Sequence, residues 1–405
     1  MVTKLEAMGY KSLQRTEVGF GPLAVVVGPN NAGKSNFFDL LQLLSAFATG
    51  PLDKAFDRHR GDPVEAFHDP SHPVMEAKLT IDLRRSADAD NAGHRPPRAP
   101  LDYELAVKFD TKRALFQVVR ERLDWVPGTP SPRRLPFIGP DDDGQRLRVT
   151  REGGGAHPRY FERLGTRTVL SQIDDRELYP TIYAVQEYLR SWRFYHFEPL
   201  ALRQPSPQLT LLDLQADGTG LSGVLDTLKR DHPRQFASVG RELVAAIPEV
   251  QDLDVVDTGD RRRLLQLTLL GDRGFSGRVV SDGVLRFLAL LVLTYNPRPG
   301  GLVCFEEPEN GVHPGRLGFV VQHLRGITRE RPRAARCQVL VNSHSPYLVD
   351  HLSPSELVVA VMGPQGTRLR RLQDDLFSGK PAVRRWLETG ELSLGEAWYG
   401  GHLDA

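Results

Sequence analysis

The segment Gly28-Pro29-Asn30-Asn31-Ala32-Gly33-Lys34-Ser35 carries the most specific chemical signal in the chain. It fits the spacing G-x-x-x-x-G-K-S, follows the apolar run LAVVV, and precedes apolar residues at helical spacing: Phe37, Leu40, Leu41, Leu44 and Phe47. Triphosphate oxygens need backbone N–H groups at close range. Glycines permit that approach sterically, and the positive end of a following helix adds a favourable field. In this reading Lys34 reaches the outer phosphates of ATP, the Ser35 hydroxyl ligates Mg2+, and Asn36 completes the binding segment.

Three further segments put polar side chains where apolar elements begin or end. GLVCFEEPENGVHP, from Gly301 to Pro314, is a buried-strand pattern that stops at two adjacent carboxylates and a proline. Acids at the C-terminal edge of a parallel strand lie where open α/β sheets bind ligands. Glu306 is therefore assigned to magnesium, through a water, and Glu307 to orienting and polarising an attacking water. The bland alternative is an acid cluster stabilised by a helix N-terminus. VLVNSHSPYL ends a second buried strand at His344, placed to sense the outer phosphate, a role a lone histidine would not suggest. VSDGVLRFLALLVL opens an apolar helix with Ser281, Asp282 and Gly283. Unpaired N–H groups there would suit an anion, and an ordinary helix cap is the alternative.

The elements that must position these residues imply an α/β fold of P-loop NTPase type, with a mostly parallel sheet core, an antiparallel β lobe and a helical subdomain. Residues 3–27 read as an antiparallel pair followed by a buried strand. Segments 75–83, 101–109 and 114–123 alternate with period two, which implies an antiparallel sheet beside the phosphate loop. NAGHRPPRAP separates the first two, and residues 127–158, crowded with Pro, Gly, Asp and Arg, have the composition of a mobile loop. Helical periodicity at Tyr179–Trp192 and Gly218–Ala246 predicts the helical part. The aromatics between, Trp192, Phe194, Tyr195 and Phe197, read as packing rather than base stacking. From Asp252, RLLQLTLL, DGVLRFLALLVLTY, GGLVCFEE, PGRLGFVVQHLRGI and CQVLVNSH alternate strand with helix and predict a parallel sheet under helices. Boundaries near 125 and 250 divide the chain into 1–125, 126–250 and 251–405.

Composition narrows the function classes. A formal charge of +1 means that any attraction to nucleic acid must come from a local patch. Arginines outnumber lysines forty-three to nine, but they are scattered and matched by acids, so the bias reads as compositional. Cys304 and Cys337 stand alone in apolar stretches, which suggests neither a zinc site nor a disulfide framework and fits a reducing cytoplasm. The longest apolar run, Val284 to Tyr295, contains Arg286 and is too short to span a bilayer, so no membrane role is expected.

In their order, phosphate loop, serine-led helix, acid pair and histidine, the motifs resemble those of ABC-type ATPases. The closest similarity is to AAA-family ATPases of the SMC, RecF and OLD-like group, through GPNNAGKSN, SDGVLRFLALL, EEPENGVHP and NSHSP, with WRFYHFEP and the tail LGEAWYGG also similar. The resemblance implies a homodimer in the ATP state, in which Lys34 of one copy and the Ser281–Gly283 helix start of the other face one nucleotide. It also implies a glutamine linking magnesium to the lobe boundary, for which Gln172 is the candidate. Glu306 departs from the commoner aspartate, which points to slow hydrolysis. About sixty residues follow His344, too few for the Toprim nuclease domain of OLD-like proteins. No sustained heptads interrupt Pro51 to Arg278, so the arms of SMC proteins are not expected.

Two functions follow as expectations. One is an ATPase acting on DNA, or driving a separately encoded nuclease, in repair or anti-phage defence. The other is a slow ATPase scaffold or sensor holding a separate effector protein under nucleotide control.

Overall fold

The computed structural model describes residues 1–57, 62–84, 97, 99–129, 135–152, 157–296, 300–329, 337–372 and 381–403. Most of the proline- and arginine-rich stretch 91–100 lies outside them, as do parts of 127–158.

The chain opens with β1 (Val2–Tyr10), β2 (Leu13–Gly19) and β3 (Leu23–Val27), then the phosphate-loop segment, α1 (Lys34–Phe47) and the short α2 (Leu52–Phe56). Next come β4 (Val74–Ile81), β5 (Leu101–Asp110), β6 (Leu115–Trp125), β7 (Ile138–Pro140), β8 (Arg146–Val149) and β9 (Arg159–Glu162). These six join β1 and β2 in one antiparallel sheet of order β2-β1-β4-β5-β6-β7-β8-β9. For the described residues 135–152 the mobile-loop expectation is thus corrected. Ile138, Leu147 and Val149 are buried there, so three apolar side chains on short pairing segments outweigh the turn-rich composition between them.

The middle of the chain supplies α3 (Pro180–Arg190), β10 (Arg193–Tyr195), α4 (Pro199–Leu202), β11 (Ser206–Pro207), α5 (Leu221–Asp231), α6 (Pro233–Ala246), β12 (Val250–Asp257), β13 (Arg262–Leu269) and β14 (Arg273–Ser276). RLLQLTLL is β13, which pairs antiparallel with β11, β12 and β14 in a separate sheet rather than joining the parallel one. Its alternating exposure is the pattern of a sheet with one wet face, which the short apolar run concealed.

The chain closes with α7 (Asp282–Thr294), β15 (Leu302–Glu306), α8 (Leu317–Thr328), β16 (Gln338–Ser343), α9 (Pro346–Val349), β17 (Leu357–Gly363), β18 (Gly366–Arg371), α10 (Pro381–Thr389) and α11 (Leu394–Tyr399). The site-bearing sheet has the order β10-β15-β16-β3-β17-β18, parallel except for its last pair. It is the wall between two cores. Ala24, Val26, Leu302, Cys304, Leu340 and Val358 face α1, α3 and the antiparallel sheet. Leu23, Val25, Val303, Phe305, Val339, Val341 and Val359 face α5 to α8. Strands covered on both sides must be apolar at every position, which is why LAVVV and VLV carry no polar alternation. Each such side chain contributes about 1.5–3 kcal/mol on burial. Among the described residues no helix is long and apolar enough to cross a membrane.

Candidate functional site

Register brings the candidate residues to one edge. Glu306 pairs with Asn342, Ser343 with Val27, and Tyr195 with Phe305, so the C-terminal ends of β10, β15, β16 and β3 lie side by side. The residues that leave those ends are His196, Glu307, His344 and Gly28.

The loop after β3 is shaped by two left-handed residues, Asn31 and Gly33 at φ 64° and 89°. A methyl group at Gly28 would run into the Ala360 carbonyl, and one at Gly33 into Thr367 and Ser12, so both positions exclude any other side chain. α1 begins with no acid in its first turn and no side-chain cap, leaving its N–H groups unmatched. Lys34 is buried, and its Nζ donates to the Gly28 and Pro29 carbonyls at 2.7 and 2.9 Å. Burial lowers its pKa, while the charge of Glu307 opposes that shift. Ser35, Pro29, Asn30 and Asn31 are exposed and Ala32 is buried. Asn36 turns away, donating to Ser12 Oγ at 2.7 Å.

At the end of β15, Glu306 is half-buried and its pKa is raised by burial, with His196 countering and Asp39 and Glu307 adding to the rise. Glu307 adopts φ 49°, a left-handed conformation a non-glycine residue keeps only when its surroundings hold it. They do: its N–H donates to Asn342 O at 2.8 Å, Asn310 Nδ2 donates to its Oε2 at 2.5 Å, and His344 Nε2 lies 2.7 Å from its Oε1. Ser343 Oγ donates to the Glu309 carboxylate at 2.5 Å and accepts from the Ser345 N–H at 3.1 Å, and Ser345 caps α9.

Ser281 caps α7 with no side-chain hydrogen bond and, like Asp282, is exposed. Arg203 fixes the approach, its Nη2 donating to Val280 O and to Asp282 Oδ1, both at 2.6 Å. A methyl at Gly283 would strike the Gly311 carbonyl, and Arg286 donates to Asn310 O at 2.9 Å, so the helix start is seated on the loop that follows the acid pair.

Gln172 is not brought to this edge. Its Nε2 donates to Thr168 O at 3.1 Å, and Thr168 Oγ1 donates to Phe47 O at 2.7 Å, at the far end of α1. That end lies about 20 Å from Lys34 at about 1.5 Å per residue. Two residues at the edge were missed. Glu309 is buried behind Ser343 and His344, and His196 has Nδ1 3.9 Å from Glu306 Oε2. The sequence signal for His196 was its place directly after the short apolar run WRFY, where a parallel strand would end.

Residues 23–350 match the family described as "AAA domain, putative AbiEii toxin, Type IV TA system". A comparison with curated proteins finds no match. Among solved structures the chain is similar to an SMC head bound to the C-winged helix domain of ScpA, with TM-score 0.57 and 11% identity, covering 92% of this chain and 98% of that one. An SMC head domain from Thermotoga maritima aligns with TM-score 0.44 and 11% identity over 92% of this chain and 99% of that one. A Pyrococcus furiosus Smc head with an extended coiled coil, bound to the C-terminal domain of ScpA, aligns with TM-score 0.47 and 12% identity over 95% and 99%. The first of these supports the fold, a mixed α/β ATPase-head architecture. With the matched segment running from Leu23, ahead of the phosphate loop, to Asp350, beyond the histidine, the chain belongs to this AAA-domain family.

Proposed function

We propose that the chain binds Mg-ATP at the C-terminal edge of its parallel sheet and hydrolyses it between two copies of itself. The observation that carries this reading is the convergence of Lys34, Glu306, Glu307 and His344 on one edge, with Glu307 held in a strained backbone and His344 2.7 Å from its carboxylate.

The residues fit a triphosphate and its metal: left-handed Asn31 and Gly33 curl the loop backbone ahead of α1, whose first turn has no side-chain cap, and Ser35 is exposed there. Magnesium, when bound, supplies neutralisation of phosphate charge. Ser35 and Glu306 would hold it. Lys34 exchanges its two carbonyl acceptors for phosphate oxygens, a charge-assisted bond in a buried setting. Glu307 accepts the proton of the attacking water, while His344 and Asn310 fix its two oxygens. The exposed start of α7, with Ser281 and Gly283, offers N–H groups to a nucleotide on a second copy.

Glu307→Gln is expected to retain ATP binding while turnover falls by roughly 10²- to 10⁴-fold. Unchanged turnover would overturn the assignment. Lys34→Ala is expected to abolish nucleotide uptake.

We extend the proposal to action on DNA or on a separately encoded nuclease, in repair or anti-phage defence. The family description, which names a toxin of a toxin–antitoxin system, supports the defence part of this reading, and the DNA and nuclease parts rest on the motif resemblance. The scaffold reading is favoured by a different observation, the separate ScpA domain seated on the similar SMC head. DNA-stimulated hydrolysis with salt-sensitive binding selects the first; a partner whose release follows nucleotide state selects the second.

A further inference from the structure

We propose that His196 is a ligand of the divalent ion that binds with the nucleotide, and that its imidazole tilts the site from magnesium towards manganese. The inference rests on the nucleotide reading above.

Sequence places His196 directly after β10, and the pairing of Tyr195 with Phe305 sets it opposite Glu306 at the sheet edge. Tyr195 packs its ring on Phe305 and Phe197, with centroids 5.6 and 5.5 Å apart, and the His196 N–H donates to Ala216 O at 2.8 Å. The histidine's backbone is therefore fixed by buried aromatics on both sides, while its ring remains 53% exposed to an incoming ligand.

The two ring nitrogens face two carboxylates. Nδ1 lies 3.9 Å from Glu306 Oε2, and Nε2 lies 3.6 Å from Glu198 Oε1. Two ligands of one octahedral ion, each bound at about 2.1 Å, stand about 3.0 Å apart when adjacent and about 4.2 Å apart when opposite, so a side-chain shift of about 1 Å or less lets Nδ1 and Oε2 share an ion. Glu198, at 3.6 Å, stands just beyond hydrogen-bond length of Nε2, and a small side-chain rotation brings it to the position from which carboxylates orient metal-binding histidines. Among the described residues no group of three or more His, Cys, Asp or Glu side chains is gathered to hold an ion alone. His196, Glu306 and Ser35 would therefore need phosphate oxygens to complete the shell, and metal and nucleotide would bind together.

The ligand chemistry sets the preference. Magnesium favours an all-oxygen shell with several retained waters, whereas an imidazole nitrogen raises affinity for first-row transition ions. Manganese accepts the remaining carboxylate, hydroxyl and phosphate oxygens equally well.

The test uses the full chain carrying Glu307→Gln, with ATP and Mn2+, read by electron spin-echo modulation from nitrogen coupled to the ion. Histidine nitrogen modulation is expected, changing isotopically when the chain is labelled with 15N-histidine. It should vanish in His196→Gln and persist in His344→Ala. The ratio of Mn2+ to Mg2+ affinity of the ATP complex should fall by roughly tenfold in His196→Gln. Bound Mn-ATP without nitrogen modulation, or modulation that survives His196→Gln, overturns this proposal and leaves the nucleotide reading intact. Failure of the chain to bind Mn-ATP or Mg-ATP at all overturns the reading beneath it. The labelling result, taken with persistence of the modulation in His344→Ala, needs no substitution at His196, so the test stands even where His196→Gln does not fold.

Discussion

Glu309 shows how a single buried acid can matter without touching a nucleotide. It follows the acid pair by two residues, is 8% exposed, and accepts from Ser343 Oγ at 2.5 Å and from the His344 N–H at 3.3 Å. Burial pushes its pKa up, and the donors from Ser343 and His344 pull it back. It thereby fixes the backbone from which His344 reaches Glu307. Glu309→Ala leaves those donors without an acceptor, at a cost of about 1–3 kcal/mol, and lets the histidine loop relax. Urea unfolding should report the loss. Turnover should fall in parallel and recover partly in Glu309→Gln, which keeps one acceptor oxygen; wild-type turnover in Glu309→Ala would remove the positioning role. Lys34, Glu306, Glu307 and His344 were legible in the sequence because each sits in a short motif with its own strand context. Glu309 and His196 were not, because their meaning lies in contacts 34 and 110 residues away in the chain.

At the scale of elements, the strands that carry the site motifs, β3, β15 and β16, and the longer helices α1, α3 and α5 to α8 followed from periodicity, whereas β17 and β18 of the same sheet went unread, and other failures have physical causes. β7 and β8 are three and four residues long, too short for an alternating pattern to emerge from proline- and glycine-rich surroundings. β13 was legible as a strand but not as a member of its sheet, because strand pairing is decided by distant partners. Helical glycines offer a sharper test, through two positions of opposite expectation. Gly240 lies inside α6, and a methyl there would meet nothing nearer than Leu253 Cβ at 4.0 Å. Gly240→Ala should stabilise by about 0.5–1 kcal/mol, the ordinary gain of alanine in a helix. Gly283 is also helical, but its methyl would strike the Gly311 backbone. Gly283→Ala should destabilise by about 1–3 kcal/mol despite the better helix propensity, as overpacking does. Denaturant midpoints of the two variants check the contrast, and a stabilising Gly283→Ala would mean that α7 is not seated on the loop after the acid pair.

For the molecule as a whole, the parallel sheet separates two cores, and the antiparallel sheet must be tied to α1 if the first core is to stay closed. Glu121 supplies one such tie. It is fully buried on β6 and accepts from the N–H groups of Val169 and Leu170 at 2.6 and 2.9 Å and from Tyr103 Oη at 3.0 Å, while neighbouring Thr168 bonds to the last carbonyl of α1. Burial raises its pKa to about 7 from an ordinary 4.5, against the pull of those donors. The folded chain therefore holds this proton where the unfolded chain has released it. Below about pH 4.5 both states are protonated and the group is neutral in its effect. As pH rises from there towards 7, the unfolded state gains by ionising, so stability falls across that window and the loss is complete above pH 7. Its size is on the order of 3 kcal/mol. Glu121→Gln removes the titration, so the drop in unfolding free energy between pH 5 and pH 8 should shrink by about that amount, even though the amide satisfies the two N–H donors less well and lowers stability at every pH. Urea denaturation at unit steps of pH measures both effects. An unaltered pH slope in Glu121→Gln would mean that the lobe is held to α1 by packing alone, without a proton stored at their junction.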